Sequence, residues 1–372
     1  MKRYGSLEVR KLVVTTNAVF LALLSAWYLL AGSWSTETIT PEPDMGDIHE
    51  PSSSSGSGTF EFETVMGIFM QDDPSTDWTG FEYTNNNFGL INRSYPTDDP
   101  SSSSTTTAPW LRFAQYLHHL TTTSPANVQY KLLYLGRHGE GAHNVAEAKY
   151  GTAAWDAYWS KRDGDGELFW SDARLTETGK RQALAAGEFM GEMISSTEET
   201  EKGKGGKGGM PAPQAYFVSP LFRCLQTANV TFGSLKLPAG SKPFRPIIKE
   251  LLREVLGEHT CDRRSTKTLI STNFSEWRFE AGFTERDELW EVDHRETAEE
   301  HDVRTRAFLE DLFGMEDEED SGREGKEDGM VYVSLTSHSG AIASFLRVLG
   351  HREFALPTGG MIPVLVKATR VR

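Results

Sequence analysis

The sequence predicts an α/β fold, a three-layer α/β/α sandwich around a mostly parallel central sheet. Three observations carry this. From Tyr130 onward, short apolar runs recur with amphipathic helical stretches between them. The runs are apolar rather than alternating, as strands buried on both faces are, and strand–helix alternation implies a parallel sheet covered on both sides. A length of 372 residues suits one large α/β domain or two smaller ones with appendages, and no internal repeat divides it.

In chain order, residues 1–11 form a basic flank containing Lys2, Arg3, Arg10 and Lys11 against the single acid Glu8. An uncharged stretch follows, and as a helix its span from Leu12 to Gly32 would be about 31 Å long, enough to cross a bilayer. Trp27, Tyr28 and Trp34 suit an interface. A cleaved signal peptide competes with this reading, but no clean small-x-small site follows Leu30. Residues 12–32 are therefore read as an uncleaved signal-anchor, with the basic flank cytosolic and the rest of the chain lumenal or extracellular. A cytoplasmic protein is the alternative. Residues 33–59, rich in Pro, Ser and Gly, read as a tether.

Between 60 and 125 aromatic residues return, among them Phe81, Tyr83, Phe88, Tyr95 and Trp110, interrupted by the run Ser101–Thr107. This segment reads as an extension packed on the following domain. That domain, 126–372, carries the predicted strands Lys131–Leu135, Ala215–Val218, Pro246–Ile248, Val331–Leu335 and Val364–Lys367. Its helical stretches include Thr178–Ile194 and Ala298–Phe313. Loop insertions are expected at 195–214 and 316–329, where Gly-Lys and acidic runs replace apolar periodicity.

A net charge of −15 argues against a nucleic-acid partner, which needs a basic footprint. It leaves an anionic small-molecule substrate open, because a few arginines can dominate the potential inside a cleft. The cysteines, Cys224 and Cys261, form one bridge or stay free thiols; spacing does not decide which.

Three predicted strand ends each deliver a basic residue. Gly136-Arg137-His138-Gly139 follows the first strand of the domain directly, where ligands bind in an open α/β sheet. Arginine supplies a planar fork for phosphate oxygens, and histidine supplies a neutral nitrogen nucleophile. Ser219-Pro220-Leu221-Phe222-Arg223 turns from a strand into a helix, placing Arg223 at a helix N-terminus, a natural anion site. Thr336-Ser337-His338-Ser339-Gly340 repeats that layout.

These segments together resemble the histidine phosphatase superfamily, of phosphoglycerate-mutase-like fold. The resemblance rests on Arg137-His138-Gly139, Ser219–Arg223 with Gln226-Thr227-Ala228, and Ser337-His338-Ser339-Gly340, supported by Leu175–Gly179 with Gln182-Ala183. It spans roughly 130–367, in the family's order and spacing. His138–Asn144 and Cys261-Asp262-Arg263-Arg264 more narrowly resemble a fungal phosphomutase-like subgroup.

The resemblance implies that His138 attacks phosphorus and that Arg137, Arg223 and His338 hold the equatorial oxygens, with no cofactor and no obligatory metal. The acid for the leaving alkoxide is expected at Glu254, in Leu252-Arg253-Glu254, ahead of Glu250 and Glu258. Asn144, seven residues after Arg137, is expected to contact the phosphoryl group, with capping of the next helix as its plainer role. Arg264 is expected at the substrate, with ion pairing to nearby acids as the alternative. His143 reads as a structural or rim residue, and Cys224 as a buried thiol. Sequons at Asn92, Asn229 and Asn273 are compatible with a lumenal enzyme.

The expected activity is hydrolysis of a phosphate monoester, a small phosphorylated metabolite, through a phosphohistidine on His138. A phosphomutase using the same intermediate is the alternative. A membrane-tethered binding protein on the same fold would leave the retained set of Arg137, His138, Arg223, His338 and Glu254 unexplained.

Overall fold

The computed structural model describes residues 59–99, 108–195, 208–315 and 330–371, and its strands in chain order are β1 (Phe60–Thr64), β2 (Val128–Arg137), β3 (Ala215–Val218), β4 (Ile247–Ile248), β5 (Arg278–Phe279), β6 (Tyr332–Ser337) and β7 (Met361–Arg370). The basic flank, the stretch 12–32, nearly all of the tether and most or all of the two insertions lie outside the described residues. Among the described residues, no helix is long and apolar enough to cross a membrane.

The helices are α1 (Pro109–Thr123), α2 (Ala142–Tyr150), α3 (Thr152–Ala157), α4 (Glu177–Ile194), α5 (Phe222–Phe232), α6 (Lys267–Asn273), α7 (Ala298–Gly314) and α8 (Ser339–Val348). Their starts follow local chemistry. Pro109 opens α1, where a missing N–H costs nothing. The Thr176 hydroxyl accepts from Gly179 N at the start of α4. Thr297 and Glu300 form a reciprocal capping box at α7.

The strands form one sheet in the order β1-β7-β2-β6-β3-β4-β5. Pairings from β2 through β6, β3 and β4 to β5 are parallel, while β7 runs antiparallel to both β2 and β1. Alternation along β2 sorts the core into two layers. Leu132 and Tyr134 pack with Trp110 of α1, Met190 of α4 and Leu225 of α5. Leu133 and Leu135 pack with Phe308 of α7 and Phe345 of α8. This is the three-layer α/β/α arrangement.

Two strands have no counterpart among the predicted ones. β1 pairs with β7 as an edge of the main sheet, so the described part of the 60–125 segment contributes a strand as well as a covering layer. Its rings Phe69 and Phe88 are fully buried with Trp110. β5 is a two-residue pairing with β4, too short to leave a pattern.

Register places the site. Arg137 of β2 lies opposite Ser337 of β6, and Val218 of β3 lies opposite Thr336. The carboxyl ends of these three neighbouring strands therefore finish at one level, and His138, Ser219 and His338 follow there.

Candidate active site

His138 is 1% exposed at the end of β2, its N–H bonded to Ser337 O at 3.0 Å. Its Nδ1 lies 2.7 Å from the Gly139 carbonyl oxygen. A carbonyl only accepts, so Nδ1 carries the proton and Nε2 keeps its lone pair. Burial, then Arg223 and Arg137, push the imidazole well below its ordinary pKa, and it is neutral at pH 7.

The loop after His138 is held from two helices. Gly139 N donates to Thr227 Oγ1 of α5 at 3.0 Å, and Glu140 N donates to Gln182 Oε1 of α4 at 2.7 Å. A side chain at Gly139 would strike the backbone of Gly179, so these glycines let loop and helix touch directly. Gln226 Oε1 accepts from Leu175 N at 2.9 Å, tying α5 to the segment before α4. The motif residues Gln182, Gln226 and Thr227 thus shape the turn that aims His138.

Arg223 is fully buried in the first turn of α5. Its Nε donates to His338 Nδ1 at 3.2 Å, and its two terminal nitrogens donate to Cys261 O at 2.6 Å and Asp262 Oδ1 at 2.8 Å. Burial is the largest influence and opposes its charge, but Asp262, with Cys261, Cys224 and Glu254, together outweighs it and holds the guanidinium pKa up. Because His338 Nδ1 accepts from an arginine, the His338 proton sits on Nε2, which lies 2.7 Å from Ser219 Oγ. The His338 and His138 ring centroids are 5.1 Å apart. Arg137 donates to Leu356 O at 2.7 Å, while its Nε is buried with no partner.

Glu254 reaches the same place from the loop after β4. Its Oε2 accepts from Gly340 N at 3.2 Å and Ser339 Oγ at 3.3 Å, at the start of α8 and next to His338. Its charge acts on both Arg137 and Arg223. The competing carboxylates are occupied elsewhere. Glu250 pairs with Arg264 and Arg253, and Glu258 with Lys161 at 3.1 Å.

Arg264, expected at the substrate or in ion pairs with nearby acids, is buried and pairs with Glu250. Its side chain is 0% exposed, and all five of its N–H groups are engaged. Nε is bonded to Glu250, one terminal nitrogen to the carbonyls of Ser265 and Glu285, and the other to Thr284 and the Arg286 carbonyl, whereas Arg223 keeps one N–H on each terminal nitrogen. A guanidinium so saturated has little left to offer a ligand. Asn144 Oδ1 accepts from Gly141 N at 2.9 Å, the capping interaction, which leaves its amide nitrogen available. Cys224 and Cys261 are both buried free thiols, so they form no bridge.

Sequence reasoning missed the network behind the site. Asp262 Oδ2 accepts from Arg295 at 2.9 Å, and the same Arg295 nitrogen donates to Val255 O at 2.9 Å and Gly257 O at 2.8 Å. Arg304 of α7 donates to the carbonyls of Leu251, Arg253 and Glu254. Only Asp262 left a trace, inside the Cys261–Arg264 pattern. Among the described residues, His259, Cys261 and Asp262 have ligand atoms within 4.8 Å of one another. The Asp262 carboxylate is already spent on Arg223 and Arg295, so a cation there would have to displace two guanidiniums.

No family model matches the sequence. Curated relatives do. The chain is 46% identical over 307 residues to a probable phosphoglycerate mutase of Arthroderma benhamiae, covering 82% of this chain and 84% of the relative. It is 38% identical over 267 residues to a probable phosphoglycerate mutase of Saccharomyces cerevisiae, covering 68% and 83%. It is 33% identical over 306 residues to phosphomutase-like protein 3 of Candida albicans, covering 82% and 80%.

Proposed function

The chain belongs to the phosphoglycerate-mutase-like branch of the histidine phosphatase superfamily, and we propose that it is a phosphatase hydrolysing a small phosphorylated metabolite through a phosphohistidine on His138. The observation that carries the reading is the fixed tautomer of His138, with Nδ1 bonded to Gly139 O and Nε2 unprotonated beside the strand ends that carry Arg137 and His338.

In the first step Nε2 of His138 forms a bond to phosphorus as the ester P–O bond breaks, and Glu254 gives its proton to the leaving alkoxide. In the second, water attacks the phosphohistidine, its proton passes to the Glu254 carboxylate, and phosphate leaves with His138 restored. Arg137, through its unpartnered Nε, and Arg223 neutralise the equatorial oxygens. His338 adds the Nε2–H now directed at Ser219, and Asn144 adds its amide nitrogen. Arg264 we assign to holding the 250–287 region in place.

Water as acceptor requires no site beyond the one phosphate pocket. The names of the relatives favour a second reading, a mutase that returns the group to an organic acceptor. The test is phosphate release from a panel of monoesters by the wild-type chain and by His138→Ala. The variant is expected to lose about 10⁴-fold or more in kcat. Equal release by both proteins would sink the histidine mechanism. A phosphohistidine that survives until an acceptor alcohol is added would favour the mutase.

A further inference from the structure

An imidazole that these steps do not use stands beside the nucleophile. His143 lies in the first turn of α2, and its ring centroid is 5.3 Å from that of His138, with the planes tilted by 54°. His338 stands at 5.1 Å from the same ring, so the nucleophile has an imidazole neighbour in each. His138 and His338 both have hydrogen bonds that fix their tautomers. His143 does not: its Nδ1 is buried with no partner.

The environment of His143 nevertheless fixes which nitrogen a ligand can reach. A methyl group at Gly141 would come within 2.7 Å of Nδ1 and 2.8 Å of Cε1, so that edge of the ring is packed against the Gly141 backbone. A buried acceptor without a partner is tolerated better than a buried donor, which puts the proton on Nε2. Burial, then Arg223, His138, Arg137 and His259, keep the ring neutral. An apolar side chain would fill the same space without leaving a polar atom unbonded, so packing alone does not account for an imidazole here.

We propose that His143 is a catalytic residue whose Nε2–H donates a hydrogen bond to a nonbridging oxygen of the phosphoryl group in transit, beside Arg137, Arg223 and His338. The proposal rests on His138 being the nucleophile. It also accounts for Gly141, because any side chain there would push the ring out of place.

The test uses the full chain with His143→Leu, which keeps the bulk, and His143→Gln, which restores an N–H near the position of Nε2. Each is assayed on an aryl phosphate and for inhibition by orthovanadate, a mimic of the five-coordinate phosphoryl group, with circular dichroism confirming the fold. The leucine variant is expected to lose about 100-fold in kcat with weaker vanadate inhibition, and the glutamine variant to regain about tenfold. Wild-type turnover by the leucine variant would overturn the proposal. So would a glutamine variant no better than leucine in both assays. Activity retained by His138→Ala is a different failure, that of the nucleophile assignment itself.

Discussion

Burial and two neighbouring guanidiniums push the His138 imidazole in the direction that nucleophilic attack requires. Its pKa is held well below the ordinary histidine value, so the acid limb of activity should fall well below pH 6.5, once the second ionisation of the phosphate ester near about 6 is allowed for. An acid limb centred at 6.5 would contradict the burial argument. The same shifts have a stability consequence of fixed sign. His138, His143, His259, His301 and His338 all have depressed pKa values in the folded chain. Below pH 6.5 the unfolded chain therefore binds more protons than the folded one, and stability falls as pH falls. The depressed carboxylates Asp262, Asp287 and Glu296 act in the same direction, but only near and below the ordinary carboxylate range. Urea unfolding is thus expected to show a loss of about 2 kcal/mol or more between pH 7 and pH 5. A flat profile over that window would contradict this expectation, since among the described residues only the raised carboxylates Asp172 and Glu280 act in the opposite direction.

At the scale of elements, the site is three strand ends and the loop from Leu251 to Gly257, and different forces hold the two parts. The strand ends are fixed by register. The loop is held by side chains from a distance, with Arg304 on the carbonyls of 251, 253 and 254 and Arg295 on those of 255 and 257. Arg295 is 28% exposed, so methionine should replace it without leaving a buried void. If its role is to hold the loop that presents Glu254, Arg295→Met should slow hydrolysis of an alkyl phosphate by about tenfold and scarcely affect a nitrophenyl ester, whose leaving group needs no acid. Equal losses on both esters would point instead to Arg223, reached through Asp262. This division also explains what the sequence made legible. β2, β3 and β6 are buried on both faces and end in chemistry-bearing residues, so pattern and motif lie in one short segment. Asp262, Arg295 and Arg304 act on partners far along the chain, and no local pattern marks them. Arg264 left two readings open for the same reason: a basic residue in a motif looks alike whether it faces a ligand or a buried Glu250.

On the scale of the whole molecule, the described residues of 59–99 and 108–124 are part of the core rather than an appendage to it. β1 covers the outer edge of β7, and Phe69, Phe88, Trp110, Phe113 and Leu117 are fully buried in one core layer with Tyr134 of β2 and Met190 of α4. Composition alone could not show this, because the aromatic residues there are scattered among polar ones and their partners lie in another segment. Trp110 is central: its ring centroid lies 6.0, 6.3 and 5.6 Å from those of Phe69, Phe88 and Phe113, and its indole N–H donates to Asn87 O at 3.2 Å. Trp110→Ala should therefore cost about 3–5 kcal/mol, a large share of the roughly 5–15 kcal/mol that keeps a domain folded. A chain beginning at residue 126 loses the whole layer and bares Tyr134, Met190 and the edge of β7. Compared with a chain beginning at Thr59, it is expected to lose its cooperative urea transition and its phosphate release together. If instead it unfolds at the same urea concentration and stays active, the segment is a detachable cover, and the sheet from β7 to β5 with its helices is a sufficient domain.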